Sequence, residues 1–404
     1  MLLEIHILQN FAPSNLNRDD TGSPKTCEFG GSRRARISSQ AIKRAIRNEF
    51  SLNNLVPEDQ RAIRSKRFVE EITRRLVASG KNPEDAAAVA NAAIEAIGLK
   101  TASDKNAAYT GEFGAGSSSS EVTFRKLQVL LYLSTAELKA FSEFADANWE
   151  ALLAMARAEN ASARDKKAAR EAAATALSKK VIDDFKARLN GGRAADLALF
   201  GRMLADLPDR NIDAASQVAH AISTNRVSVE FDYYTAVDDL KPGDTEGADM
   251  IGTVEFNSAC YYRYANIDLT QLKRNLGGDD GLVEAAVRAF LVASRDAIPT
   301  GKQNSFAARS APSFIMTVVR PAGAWSLANA FVRPIHPGRD TDLVSESIQA
   351  LGTYWGELSR LYGSPEGFQG YIAIGQESDV PGLGAASPDF NALLSGTLAA
   401  VAGA

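Results

Sequence analysis

Between Phe29 and Asn48 the sequence holds six cations, Arg33, Arg34, Arg36, Lys43, Arg44 and Arg47, and no carboxylate. On a helix starting at Ser39, the side chains of Gln40, Lys43, Arg44 and Arg47 share one face, while Ile42, Ala45 and Ile46 share the other. One side of such a helix is fixed in a core and the other is positively charged. Ser38 and Ser39 add hydroxyls and free backbone N–H groups at the helix start, a favourable place for a phosphate. The chemistry offered is that of a cradle for a sugar-phosphate backbone. A solvated basic face, or a face for an acidic partner protein, fits the same charges.

The elements that must position this segment are legible from periodicity. Leu3, Ile5 and Ile7 alternate with Glu4 and His6, the period of a half-buried strand, and Pro13 to Ser32 reads as a long loop before the helix toward Phe50. From about Leu52 to Gly191 the period is helical almost throughout, with stripes Phe68, Val69, Ile72, Leu76 and Leu177, Val181, Ile182, Phe185, Leu189. Pro57 and Pro83 suit first helical turns, and Gly80 and Gly98 suit C-terminal caps. Gly114 to Ser120 reads as a flexible loop, and Ala161 to Ala174 as a solvated helix. Strands return with Val227, Val229, Phe231 and Tyr233, and again from Val254 to Tyr262, which predicts a long-looped hairpin around Pro242-Gly243. A helix over Gly281 to Ala297 and strands over Phe314 to Val319 and Tyr371 to Ile374 complete an α+β body made from both chain ends around a helical insertion.

Other chemistries find little support. The 404 residues, 45% hydrophobic and 23% charged, describe an ordinary globular chain of two or three units, and a net charge of −4 means that any nucleic-acid role must rest on a local basic patch. Two cysteines, Cys27 and Cys260, make neither a disulfide framework nor a C-x-x-C site, and no apolar run is long enough to span a membrane, so a cytoplasmic protein is expected. Gly301-Lys302-Gln303 lacks the spacing of a Walker loop. The pairs Asp19-Asp20, Asp238-Asp239 and Asp279-Asp280 could hold a divalent ion but are usually solvated turn residues. His6, His220 and His336 have no metal-ligand spacing, and no nucleophile motif is present; no catalysis, metal or cofactor is expected.

Several segments together carry a resemblance. Asn17-Arg18-Asp19-Asp20, then Phe29 to Gln40, then Lys43-Arg44-Ala45, resembles the opening of the CasC-type backbone subunit of Cascade, the type I-E CRISPR surveillance complex. Phe200-Gly201-Arg202-Met203, Ala219 to Thr224, Phe231 to Leu240 and Tyr261 to Ile267 agree in order, so the likeness spans nearly the whole chain.

The resemblance implies a hand-shaped subunit. It has a modified RNA-recognition (ferredoxin-like) palm over 1–51 and 192–404, helical fingers over 52–191 and a projecting β-hairpin thumb over 225–259. It implies polymerisation along the spacer of a CRISPR RNA, with target DNA met through the guide hybrid and with further copies of itself and other Cascade subunits as partners. Carried over by position, Arg18, Ser38, Gln40, Lys43 and Arg47 would touch the RNA backbone, with Arg34, Arg44 and Arg202 in the same matching segments, and Met203 would be an apolar wedge at a kink. Read from the pattern alone, Met203 is a core methionine. No RNP-type aromatic signature is present, so phosphate contacts must carry the affinity. The thumb loop is acidic, with Asp238, Asp239, Asp244, Glu246 and Asp249, and it or the acidic helical faces would meet basic surface on the next copy. A metal-dependent ribonuclease of a related CRISPR group, cutting with Asp19 or Asp20, is the competing expectation.

Overall fold

The structure is a computed structural model and describes residues 1–102, 108–113, 120–159, 177–236, 250–364, 366–375 and 379–403. Its contacts divide into two compact units, one formed by Met1–Leu55, Ala215–Lys273 and Asp279–Ala404, the other by Val56–Ala214 with Arg274–Gly278.

The first unit is built on an antiparallel sheet of nine strands, numbered here in chain order. β1 (Leu2–Ser14) lies inside it, between β11 (Met250–Asp268) and β12 (Phe314–Arg320), with Leu2 opposite Asp268 on one side and Arg320 on the other. β13 (Phe368–Ala373) flanks β12; β9 (Ala221–Ser223), β3 (Ser32–Ile37) and β2 (Thr26–Phe29) extend the opposite side, and β8 (Ser216–Val218) also pairs with β11. The far end of β11 leaves this sheet body and pairs with β10 (Glu230–Ala236), from Glu230 opposite Phe256 to Ala236 opposite Met250. That is the expected hairpin; its connection, with Asp238, Asp239, Asp244, Glu246 and Asp249, lies outside the described residues.

The expected half-buried first strand is instead buried on both faces, because helices cover the sheet on both sides. Ile5 and Ile7 share a small internal space with Ile42 and Ile46, whereas Leu8 joins Trp355 and Leu351 of the helix Leu343–Tyr362. Glu4 and His6 therefore have no water, and each is paired internally. Glu4 accepts from Tyr264 and from the Trp325 amide, both at 2.7 Å, and ion-pairs with Arg320 at 2.6 Å; His6 Nδ1 meets the Tyr262 hydroxyl at 2.9 Å. The loop expected over Pro13 to Ser32 also contains strand: β2 and β3 form a hairpin turned by Gly30 and Gly31, both at positive φ. A side chain at Gly30 would collide with the Val332 carbonyl oxygen, so glycine there answers a close approach as well as a turn.

In the second unit, helices α2 (Phe68–Ala78), α3 (Pro83–Ala96), α4 (Thr135–Ala147) and α5 (Trp149–Glu159) surround an apolar core that includes Phe68, Ile72, Phe141 and Phe144. Asn82 caps α3 ahead of Pro83, and Ser134 with Glu137 forms a capping box on α4. Strands interrupt the helical reading. β4 (Ala62–Ser65) pairs with β7 (Leu131–Ser134), and β5 (Ala108–Phe113) pairs with β6 (Ser120–Arg125). Val122 and Phe124 are buried while Glu121, Thr123 and Arg125 are exposed, a run too short to stand out in the sequence.

This unit ends at Ala214, beyond the expected boundary at 191. The reason is packing: Ala194 and Leu197 cluster with Ala62 and Tyr132, and Asn275 ties Ala198 and Asp213 by their carbonyls at 2.9 and 2.8 Å. The segments 114–119 and 161–174, read as loop and helix, lie outside the described residues.

Candidate nucleic-acid interface

The basic segment folds as β3 running into α1 (Ser39–Leu52). Ile42, Ala45, Ile46 and Phe50 are buried, so the amphipathic face forms as the spacing predicts. On the opposite face Gln40 and Arg44 are exposed. Lys43 and Arg47 are half-buried, and each has a partner within the chain. The outward charge of the helix thus rests more on Arg44 than its spacing suggested.

Ser38 is the N-cap of α1 and is buried: its hydroxyl accepts from the Ala41 amide at 3.3 Å, and its own amide donates to Asn17 Oδ1 at 2.8 Å. It organises the helix start. The Asn17 contact brings the loop carrying Arg18 against that start, and Arg18 is exposed. Asp19 shapes this loop, its Oδ1 accepting from the Thr21 amide at 2.9 Å, the Thr21 hydroxyl at 2.7 Å and the Ser23 amide at 3.0 Å. The Thr21 hydroxyl first, with the loop amides, holds the Asp19 carboxyl below its usual range. Among the described residues no three His, Cys, Asp or Glu side chains converge as a metal site.

Two of the expected RNA contacts, Arg34 and Arg202, are instead core residues. Arg34 is fully buried, and its guanidinium donates to the carbonyls of Ser223, Thr224, Phe331 and Val332 at 2.7 to 3.1 Å. No donor there faces solvent, so it stitches β3 to neighbouring segments. Arg202 is buried on Glu137 at 2.8 Å and also donates to the carbonyls of Tyr132, Leu189 and Arg210. In a run of arginines, charge pattern does not separate a guanidinium that satisfies orphan carbonyls from one that meets a ligand.

Met203 reverses its pattern-based reading, being 82% exposed. The chain around it is fixed. Arg202 and Ile212 exchange two backbone hydrogen bonds at 2.9 Å, and the Leu204 amide donates to Asn211 Oδ1 at 2.6 Å. Gly201 has φ +73°, and a Cβ there would lie 2.8 Å from the Ala214 nitrogen. An apolar side chain is therefore held in water by an anchored backbone, beside a recess of about 590 Å³ lined by Arg64, Leu130 and Tyr132.

Lys25 and His220 do not stand out by their spacing, and Arg36 shows only as one of the six cations of the basic segment. Arg36 lies opposite Ile222, and Ile37 opposite Ala221, and this register brings His220 to Ser39. Nothing in the sequence reveals that pairing.

An antiparallel sheet with helices on both faces, a helical insertion and a basic strand-to-helix ledge define a modified RNA-recognition fold. The chain belongs to the CT1975-like protein family, whose model matches residues 3–393. Among solved structures it is similar to a chain of a "CRISPR RNA-guided surveillance complex, pre-nicking", with TM-score 0.82 and 29% identity over 99% of this chain and 100% of that one. It is similar also to a chain of a "CRISPR RNA-guided surveillance complex", with TM-score 0.72 and 27% identity over the whole of both. No curated protein matches. Among the described residues no helix is long and apolar enough to cross a membrane.

Proposed function

We propose that this chain is a non-catalytic, cytoplasmic backbone subunit of a type I-E CRISPR surveillance complex. It binds the sugar-phosphate backbone of the guide RNA without reading sequence, kinks it and presents it for pairing with target DNA. The observation that carries this reading is the rigid display of Met203, since a free apolar side chain on an anchored backbone suits a wedge between bases. Arg18, Gln40 and Arg44 supply exposed polar and charged groups for phosphate and sugar, which are the same in every spacer.

Copies of the chain add along one guide in an open, head-to-tail series. Electron microscopy of the purified protein with a guide RNA tests this. A regular helical filament is expected; scattered single particles with the RNA unbound would contradict it.

A further inference from the structure

His220 lies in the short link between β8 and β9 and is exposed. Two donors converge on one ring nitrogen: the Ser39 amide and the Arg36 guanidinium each lie 3.2 Å from Nδ1. Amide and guanidinium nitrogens only donate, so Nδ1 carries the lone pair and the ring proton is on Nε2. Nothing among the described residues accepts that proton. Burial first, then the charges of Arg36 and Lys25, lower the affinity of the ring for a second proton. A proton on Nδ1 would also face the two donors it now satisfies. The outward edge of His220 is thus a neutral donor in fixed orientation, with two cations around it.

We propose that His220 is an RNA-backbone contact, its Nε2–H donating to a phosphate oxygen while Arg36 and Lys25 supply the attracting charge. This rests on the RNA-binding reading above and adds a residue to it. The ligand class follows from the chemistry. An edge that can only donate requires an acceptor, and flanking cations favour an anionic one.

The test measures binding of a fluorescein-labelled single-stranded RNA of mixed sequence to the full chain and to the variants His220→Asn and Arg44→Ala. Asparagine places Oδ1 where Nδ1 stood, so it keeps the acceptor for Ser39 and Arg36 and loses the outward donor. His220→Asn should retain the native melting temperature and weaken binding about tenfold, the scale of one charge-assisted hydrogen bond. The same loss should appear on RNAs of unrelated sequence. Native affinity in His220→Asn, with Arg44→Ala impaired, overturns the proposal alone, as does a loss that varies with base sequence. A native chain that binds no RNA overturns the parent reading with it.

Should His220→Asn melt early, the native chain gives the answer by NMR, since it has only three histidines. Added RNA must shift the His220 ring signals and raise its pKa against the opposing charges of Arg36 and Lys25. Unchanged signals at saturating RNA defeat the assignment.

Discussion

Arg202 and Glu137 form a buried ion pair at 2.8 Å, and the next residue in the chain, Met203, is 82% exposed. Glu137 also accepts the Gly191 amide at 2.8 Å and caps α4, so one carboxylate joins three segments of the unit. Removing one partner of such a pair leaves a charge without water, at a cost of about 3–5 kcal/mol. Arg202→Ala should therefore lower the midpoint of urea unfolding strongly. Met203→Ala should change stability by less than about 0.5 kcal/mol, as truncation of an exposed side chain does. It should weaken the unstacking of a 2-aminopurine placed in the guide, read by fluorescence in the assembled complex. Unchanged fluorescence in Met203→Ala would remove the wedge role.

Arg34 serves the fold, and its replacement should show it. Arg34→Met leaves the carbonyls of Thr224 and Phe331 without their donors at 2.7 Å, a penalty of about 1–3 kcal/mol for each buried group. Thermal unfolding should shift down while the folded fraction keeps its RNA affinity. A selective loss of affinity at native stability would restore Arg34 as an RNA ligand.

His6 makes stability depend on pH. Burial first, then the charge of Arg320, pushes its pKa from the ordinary 6.5 down to about 3. The folded state therefore keeps the ring neutral where the unfolded chain protonates it. This stabilising contribution is whole above pH 6.5 and is lost as pH falls toward 3, by about 1.4 kcal/mol per unit. Between pH 7 and pH 5 the native chain should lose about 2 kcal/mol more than His6→Gln in urea titrations. Parallel losses would show that His6 titrates normally.

Asp19 and Asp20 lead to a simple enzymatic expectation. The assembled complex, incubated with complementary RNA and Mg²⁺, should show no cleavage at regular spacing that Asp19→Ala or Asp20→Ala abolishes. Cleavage that disappears in either variant would make the chain a nuclease.

Much of the site was legible in the sequence, and the rest was hidden for physical reasons. The apolar face of α1 followed from the spacing of Ile42, Ala45 and Ile46, because a 3.6-residue period leaves little freedom. The β10–β11 hairpin followed from strict alternation. Glu4 and His6 misled because alternation reports polarity, and these polar groups meet Arg320, Tyr264 and Tyr262 inside, with His6 Nε2 left without a hydrogen-bond partner. Met203 misled because an apolar residue in an apolar stretch carries no mark of exposure. Its display depends on Gly201 and on the pairing of Arg202 with Ile212. Arg34 and Arg202 misled because guanidinium chemistry serves carbonyls as well as phosphates.

The most direct test is the salt dependence of binding to two single-stranded RNAs of unrelated sequence, compared between the native chain and the Arg18→Ala, Arg44→Ala double variant. Clamping of the backbone by these exposed cations predicts that the logarithmic slope falls by about 1.4, at roughly 0.7 for each phosphate left without its cation, and equally for both RNAs. Identical slopes in native and variant chains, or a fall confined to one sequence, would contradict it.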